Sequence, residues 1–90
     1  MKNTNPPAKA IVTIYTRPGC HLCEDAKANI LASGYASCFT IEEINIDEDE
    51  TLKQQFQYDI PVIRINGIKV FKHFVDPKAF ARKFKRIAGI

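Results

Sequence analysis

Cys20 and Cys23, three positions apart, follow an apolar β-branched run and open an amphipathic one. No other feature constrains the chain as much, because it commits the polypeptide to a strand, a sharp turn and a helix in quick succession, with two thiols at the junction. Ile11-Val12-Thr13-Ile14-Tyr15 is apolar on both faces, as expected of a strand in the middle of a sheet. Pro18-Gly19 ends it. From Cys20 to about Ser33, apolar residues at Leu22, Ala26, Ile30 and Leu31 recur at helical spacing, and Gly34 supplies the stop.

The remaining chain reads as alternating elements. Ile41, Ile44 and Ile46 mark a second strand over Thr40–Ile46, whose Glu42, Glu43 and Asn45 place it near a sheet edge. The acidic run Asp47–Glu50 caps a short helix reaching about Gln57, with Leu52 and Phe56 as its apolar stripe. A third strand from Pro61 to Ile65 is joined by Asn66-Gly67 to a fourth from Ile68 to Phe71. Asn-Gly suits a two-residue turn that needs positive φ at both positions. Asp76-Pro77 is an N-cap followed by proline in the first helical position, and Phe80, Phe84 and Ile87 form the apolar stripe of a last helix. Its other sides carry Lys78, Arg82, Lys83, Lys85 and Arg86, read as a solvated face with cations near the negative helix end, or as a surface for an acidic partner. The order β-α-β-α-β-β-α predicts a mixed four-stranded α/β sheet with helices on both faces.

Ninety residues support one core, expected over residues 10–90, with residues 1–9 (Asn3, Asn5, Pro6 and Pro7 among them) as a flexible arm. Hydrophobic residues at 46% and charged residues at 26% exclude a disordered or fibrous chain. No apolar run approaches the ~18 residues of a membrane span, and Met1–Pro7 lacks the apolar stretch of a secretory signal. A cytoplasmic, monomeric protein without membrane contact is therefore expected. The net charge of +3 is too small to argue for nucleic acid.

Three cysteines without an export signal do not make a disulfide scaffold. A thiol pair at a helix start is close enough to close into a disulfide, and the positive helix end favours the thiolate. Cys20, before the first turn and with Arg17 and His21 as cationic neighbours, is expected to titrate below the ordinary thiol value and to act as nucleophile. Cys23, one turn on and beside Leu22 and Ala26, is expected to resolve the mixed disulfide. Zinc would need a second close ligand pair, whereas Cys38 and His73 are isolated, so no metal site is expected. Cys38 reads as a buried apolar filler beside Phe39, with regulatory oxidation as the alternative.

Taken together, Tyr15-Thr16-Arg17-Pro18-Gly19-Cys20-His21-Leu22-Cys23, Tyr58-Asp59-Ile60-Pro61-Val62 and the Asn66-Gly67 hairpin resemble the glutaredoxin-like branch of the thioredoxin fold, over about residues 10–88. The resemblance implies a cis Ile60–Pro61 peptide against the CxxC, with Ile60, Pro61 and Val62 offering backbone to a substrate. Arg17 stands where such proteins often carry a lysine that meets a glutathione carboxylate, the alternative being an exposed loop cation, and Arg17 and His21 are expected with Ile60, Pro61 and Val62 among the substrate-binding residues. The sequence departs from the family where a Gly-Gly and an acidic stretch open the last helix: Phe71-Lys72-His73-Phe74-Val75 stands there. Bulky and basic residues in place of glycines and acids make glutathione a doubtful ligand and reductant.

The function expected is a thiol-disulfide oxidoreductase acting on protein or low-molecular-weight disulfides. It uses Cys20 and Cys23, needs no bound cofactor, and is regenerated by an unidentified cellular reductant. The alternative is a non-enzymatic redox-sensing or metal-binding module that docks a partner through its basic C-terminal helix.

Overall fold

The computed structural model describes residues 9–90, so most of the expected N-terminal arm, residues 1–8, lies outside the described residues. Strand β1 (Ala10–Thr16) leads into helix α1 (His21–Leu31), and a short 3-10 turn at Ala36–Cys38 precedes strand β2 (Phe39–Asn45). A second 3-10 turn (Ile46–Glu48) and helix α2 (Glu50–Phe56) follow, then strands β3 (Val62–Ile65) and β4 (Ile68–Lys72) and helix α3 (Pro77–Ala88). The sheet order is β2-β1-β3-β4, with β1 and β2 parallel and the other two pairings antiparallel. This is the expected mixed four-stranded sheet, with β1 inside it and the more polar β2 at one edge.

Strand alternation divides the core between the two faces of the sheet. Val12, Ile14, Ile63 and Ile65 face α1 and α3 and pack with Ala26, Ile30, Phe39, Phe80 and Phe84. Phe39 meets Phe80 and Phe84 edge-on, with ring centroids 5.9 and 5.4 Å apart, while Phe80 and Phe84 stack at 5.8 Å. On the other face Tyr15 and Val62 pack with Ile46 and Phe56 under the short α2. The Arg64 guanidinium lies 5.2 Å above the Tyr15 ring and 6.0 Å from Phe56, extending that smaller cluster with a cation–π contact.

Local chemistry explains the turns. Asn66 and Gly67 both have positive φ, 49° and 84°, as the two-residue hairpin requires. Asn66 also closes a two-way exchange with β1: its N–H donates to the Ile11 carbonyl, and its Oδ1 accepts from the Ile11 N–H, both at 2.9 Å. The acidic run is divided, with Asp47 and Glu48 in the 3-10 turn and Asp49 capping α2 through the N–H groups of Thr51 and Leu52.

Two sequence expectations change. The buried stripe of α1 is Cys23, Ala26 and Ile30, while Leu22 and Leu31 are 41% and 48% exposed. Small side chains at Cys23 and Ala26 let the helix sit close to the sheet, and that orientation turns both leucines outward. Cys38 is an exposed free cysteine, not a core filler. It ends the 3-10 turn with its N–H on the Tyr35 carbonyl, and Phe39 takes the inward position instead.

Candidate redox site

The site is assembled where β1 stops. After Thr16 the chain turns through Arg17-Pro18-Gly19, with Gly19 at φ 79° and the Cys20 N–H bonded to the Arg17 carbonyl at 3.3 Å. Positive φ at that point favours glycine over residues with a Cβ. Cys20 is then the N-cap of α1, in extended conformation, and its Sγ accepts the Cys23 N–H at 3.2 Å. Cys20 and Cys23 are joined in a disulfide, with Cα atoms 5.3 Å apart. Cys20 is partly exposed, whereas Cys23 is 4% exposed. The pair therefore sets a partly exposed cysteine at the helix start against a buried one.

A groove of about 630 Å³ opens beside the disulfide, lined by Arg17, Gly19, Cys20, Cys23, Lys27 and Glu43 among others. Two ion pairs hold residues of its lining in place. Arg17 forms a bidentate pair with Asp47, Nη2 to Oδ1 at 2.7 Å and Nε to Oδ2 at 3.3 Å. Lys27 Nζ meets Glu43 Oε2 at 2.7 Å, bridging α1 and β2.

The expected site residues divide into two groups. Arg17, Cys20 and Cys23 share the groove, but the Arg17 fork is occupied by Asp47 and so is not an unpaired cation waiting for a carboxylate. His21 projects outward with its side chain 92% exposed, its Nδ1 3.9 Å from Glu24. Ile60, Pro61 and Val62 do not line this groove. The Ile60–Pro61 peptide is cis. The Pro61 carbonyl accepts the His73 N–H at 2.8 Å, and Val62 pairs in the ladder with both Tyr15 and Lys72 while its side chain packs in the smaller core cluster.

From sequence alone Asp47, Lys27 and Glu43 have no role at the site: Glu43 marks an edge strand and Asp47 belongs to a capping run. Their pairings span 16 and 30 positions, which no local periodicity reveals. The Phe71–Val75 segment is also specific in shape. His73, at φ 69°, places its Nε2 3.0 Å from the Tyr58 carbonyl, while Phe74 is 71% exposed. Leu22, Asp25, Asn29, His73, Phe74 and Val75 line a second, smaller cavity of about 270 Å³. No helix among the described residues is long and apolar enough to cross a membrane.

Comparison with known proteins agrees with this architecture. Residues 11–85 match the family model of the glutaredoxin-like domain (DUF836). A glutaredoxin-like protein of Dictyostelium discoideum is 38% identical over 71 residues, which cover 72% of this chain and 66% of the relative, so the chain spans just under two thirds of that relative's length. The solution structure of a Nitrosomonas europaea protein superposes with a TM-score of 0.71 at 28% identity, covering 90% of this chain and 98% of that one. Thioredoxin from Halobacterium salinarum shares the fold, with a TM-score of 0.61 at 13% identity over 87% of this chain and 74% of that one. With the strand, the capped CxxC helix and the four-stranded sheet all in place, the chain belongs to the glutaredoxin-like domain family and has a thioredoxin fold.

Proposed function

We propose that the protein is a dithiol oxidoreductase that reduces disulfides of proteins or small molecules, with Cys20 as nucleophile and Cys23 as resolving thiol. The observation that carries this reading is the asymmetry of the pair: Cys20 is partly exposed at the N-cap of α1, and Cys23 is buried beneath the same turn. The unpaired N–H groups and positive dipole end of a helix favour negative charge on sulfur at the cap. In the reduced protein the Cys20 thiolate attacks one sulfur of the substrate disulfide. A Cys20–substrate bond forms, and the other substrate sulfur leaves as a thiolate that takes a proton from solvent. Cys23 then gives up its proton and attacks Cys20 Sγ, which forms the Cys20–Cys23 disulfide and expels the second substrate thiolate. The second thiolate is protonated in turn, so that counted from the dithiol, whose Cys20 proton passed to solvent on ionisation, the substrate gains two electrons and two protons and the protein loses them; an external dithiol or two monothiols restore them.

The test compares the two sulfurs after reduction. Cys20 is expected to alkylate faster than Cys23 below pH 8, and a Cys20→Ser variant to lose turnover on a small neutral disulfide. Equal alkylation rates, or an active Cys20→Ser variant, would overturn the assignment.

Glutathione is proposed to be a poor partner. His73 and Phe74 stand where the family resemblance places glycines and acids, and Arg17 is held by Asp47. Losing one charge-assisted hydrogen-bond partner typically costs ~1.5–3 kcal/mol, or about tenfold to a hundredfold in affinity. Saturable turnover of a glutathione mixed disulfide at micromolar concentration would contradict this.

A further inference from the structure

Helix α3 commits its apolar residues to the core and leaves a charged surface that the chain does not neutralise. Phe80 and Phe84 are fully buried, and Ile87 packs against the same cluster. At helical spacing Lys78, Arg82, Lys85 and Arg86 fall within an arc of about 100° that runs about 12 Å along the axis. All four are exposed, and none meets a carboxylate within 4.0 Å among the described residues, whereas Arg17, Lys27 and Lys72 each do. The chain beyond Asp76 contains no acidic residue, and the Asp76 carboxylate is taken by the Ala79 N–H. Ordinary helix electrostatics accounts for only part of this pattern. Lys85 and Arg86 complement the negative end of α3, but Lys78 sits in the first turn, against the dipole, and the pairs Lys78–Arg82 and Arg82–Arg86 place like charges at i and i+4.

The stripe begins at the redox end of the molecule. β4 runs in the same direction as β1, so α3 starts at the sheet end where β1 delivers the CxxC. Asn29 of α1 donates to the Val75 carbonyl at 2.9 Å, just before the Asp76 cap, and exposed Leu22 and Phe74 line one cavity there. Leu22, Phe74 and the first turn of α3 with Lys78 thus share the sheet end that carries the disulfide.

We propose that this surface docks an acidic polypeptide carrying the disulfide that Cys20 reduces: Leu22 and Phe74 cover the chain beside the reacting cysteine, and the α3 cations receive its carboxylates. The inference rests on the disulfide chemistry proposed above and narrows its substrate class. Three features favour a polypeptide over a membrane or a nucleic acid. The apolar face of α3 is already buried, so no amphipathic helix face is left to lie in lipid, and the exposed Leu22 and Phe74 stand outside the charged helix. Among the described residues no aromatic side chain stands on the charged arc, and the single exposed ring of Phe74 before it offers no succession of platforms for stacking bases. The stripe starts at the sheet end that carries the disulfide, whose exchange requires a sulfur-bearing partner.

The test uses three peptides identical except for a tail of four Asp, four Gln or four Lys, each disulfide-bonded to a chromophoric thiol and mixed with pre-reduced protein in single turnover. At low salt the Asp peptide is expected to react at least about tenfold faster than the Lys peptide, with the difference shrinking as salt screens it. Arg82→Glu/Lys85→Glu should abolish or reverse that order. Lys53→Glu/Lys69→Glu, with the same change in net charge elsewhere, should largely keep it. The singly changed Arg82→Gln and Lys85→Gln proteins give the same reading in smaller steps if the double variant fails to fold by circular dichroism. The Gln peptide reads the chemistry alone; if no protein reduces it, the proposed function has failed. The docking surface is then read by fluorescence anisotropy of the Asp peptide with Ser in place of Cys, whose affinity should still fall at least about tenfold in the α3 variant. Equal rates for the three tails, equal effects of the two charge reversals, or tighter binding to an oligonucleotide or to phosphatidylserine vesicles than to the Asp peptide would overturn the proposal.

Discussion

Helices α1 and α3 pack on the same face of the sheet and start at the same end, but their first positions are built from different chemistry. α3 is capped by the Asp76 carboxylate, which accepts the Ala79 N–H at 2.9 Å, and Pro77 follows where a missing N–H costs nothing. α1 is capped by the Cys20 sulfur, 3.2 Å from the Cys23 N–H. Sulfur is a weak acceptor, so α1 gives up cap strength and in return holds a reactive atom at its positive end. The two helices thus separate what a cap does for stability from what the same position can do for chemistry.

The sharpest way to break this comparison is to exchange the cap chemistry. Cys20→Ser installs a preferred capping hydroxyl, so turnover on a small neutral disulfide should fall to the uncatalysed background. Urea unfolding should show the variant at least as stable as the reduced wild type. A variant that keeps turnover would mean the sulfur is only a cap. Next in size, Phe80→Ala removes the fully buried ring that meets Phe39, Phe71 and Phe84, and should destabilise the fold by ~3–5 kcal/mol, read from denaturant midpoints. Asp76→Ala should cost ~0.5–2 kcal/mol and leave single-turnover reduction of the neutral disulfide unchanged, which separates the cap of α3 from the reaction. The smallest effect belongs to Asp47→Asn. Its partner Arg17 is 33% exposed on the side chain and Asp47 37%, so the pair should contribute only ~0.2–1 kcal/mol in thermal or urea unfolding. A larger loss would mean that the groove wall depends on this ion pair.

The fold was legible because its signals are local and mutually consistent. Ile11–Tyr15, the Pro18-Gly19 break, Asn66-Gly67 and Asp76-Pro77 each state a boundary in adjacent residues, and a crossover helix followed by a hairpin calls for a mixed sheet, while the order β2-β1-β3-β4 is known only from the folded chain. The misjudged positions are those decided by orientation. Leu22 and Leu31 fit a helical stripe as well as Cys23 does, and only the close seating of α1 on the sheet selects the smaller residues. Alternation likewise allowed either Cys38 or Phe39 to point inward. At the site, the cap, the thiol pair and the unusual Phe71–Val75 segment were visible in sequence. The Arg17–Asp47 and Lys27–Glu43 pairs were not, because each joins segments that only tertiary folding brings together.

The exchange between Asn66 and Ile11 bears on how the molecule opens. The Ile11 N–H lies at the beginning of β1, where a strand would ordinarily fray, but its acceptor is a side chain in the tip of the β3–β4 hairpin. Because Asn66 both donates to and accepts from the same residue, releasing either strand end exposes both amides together. In native-state hydrogen exchange the start of the sheet and the hairpin tip are therefore expected to open as one cooperative unit, although 55 positions of sequence separate them.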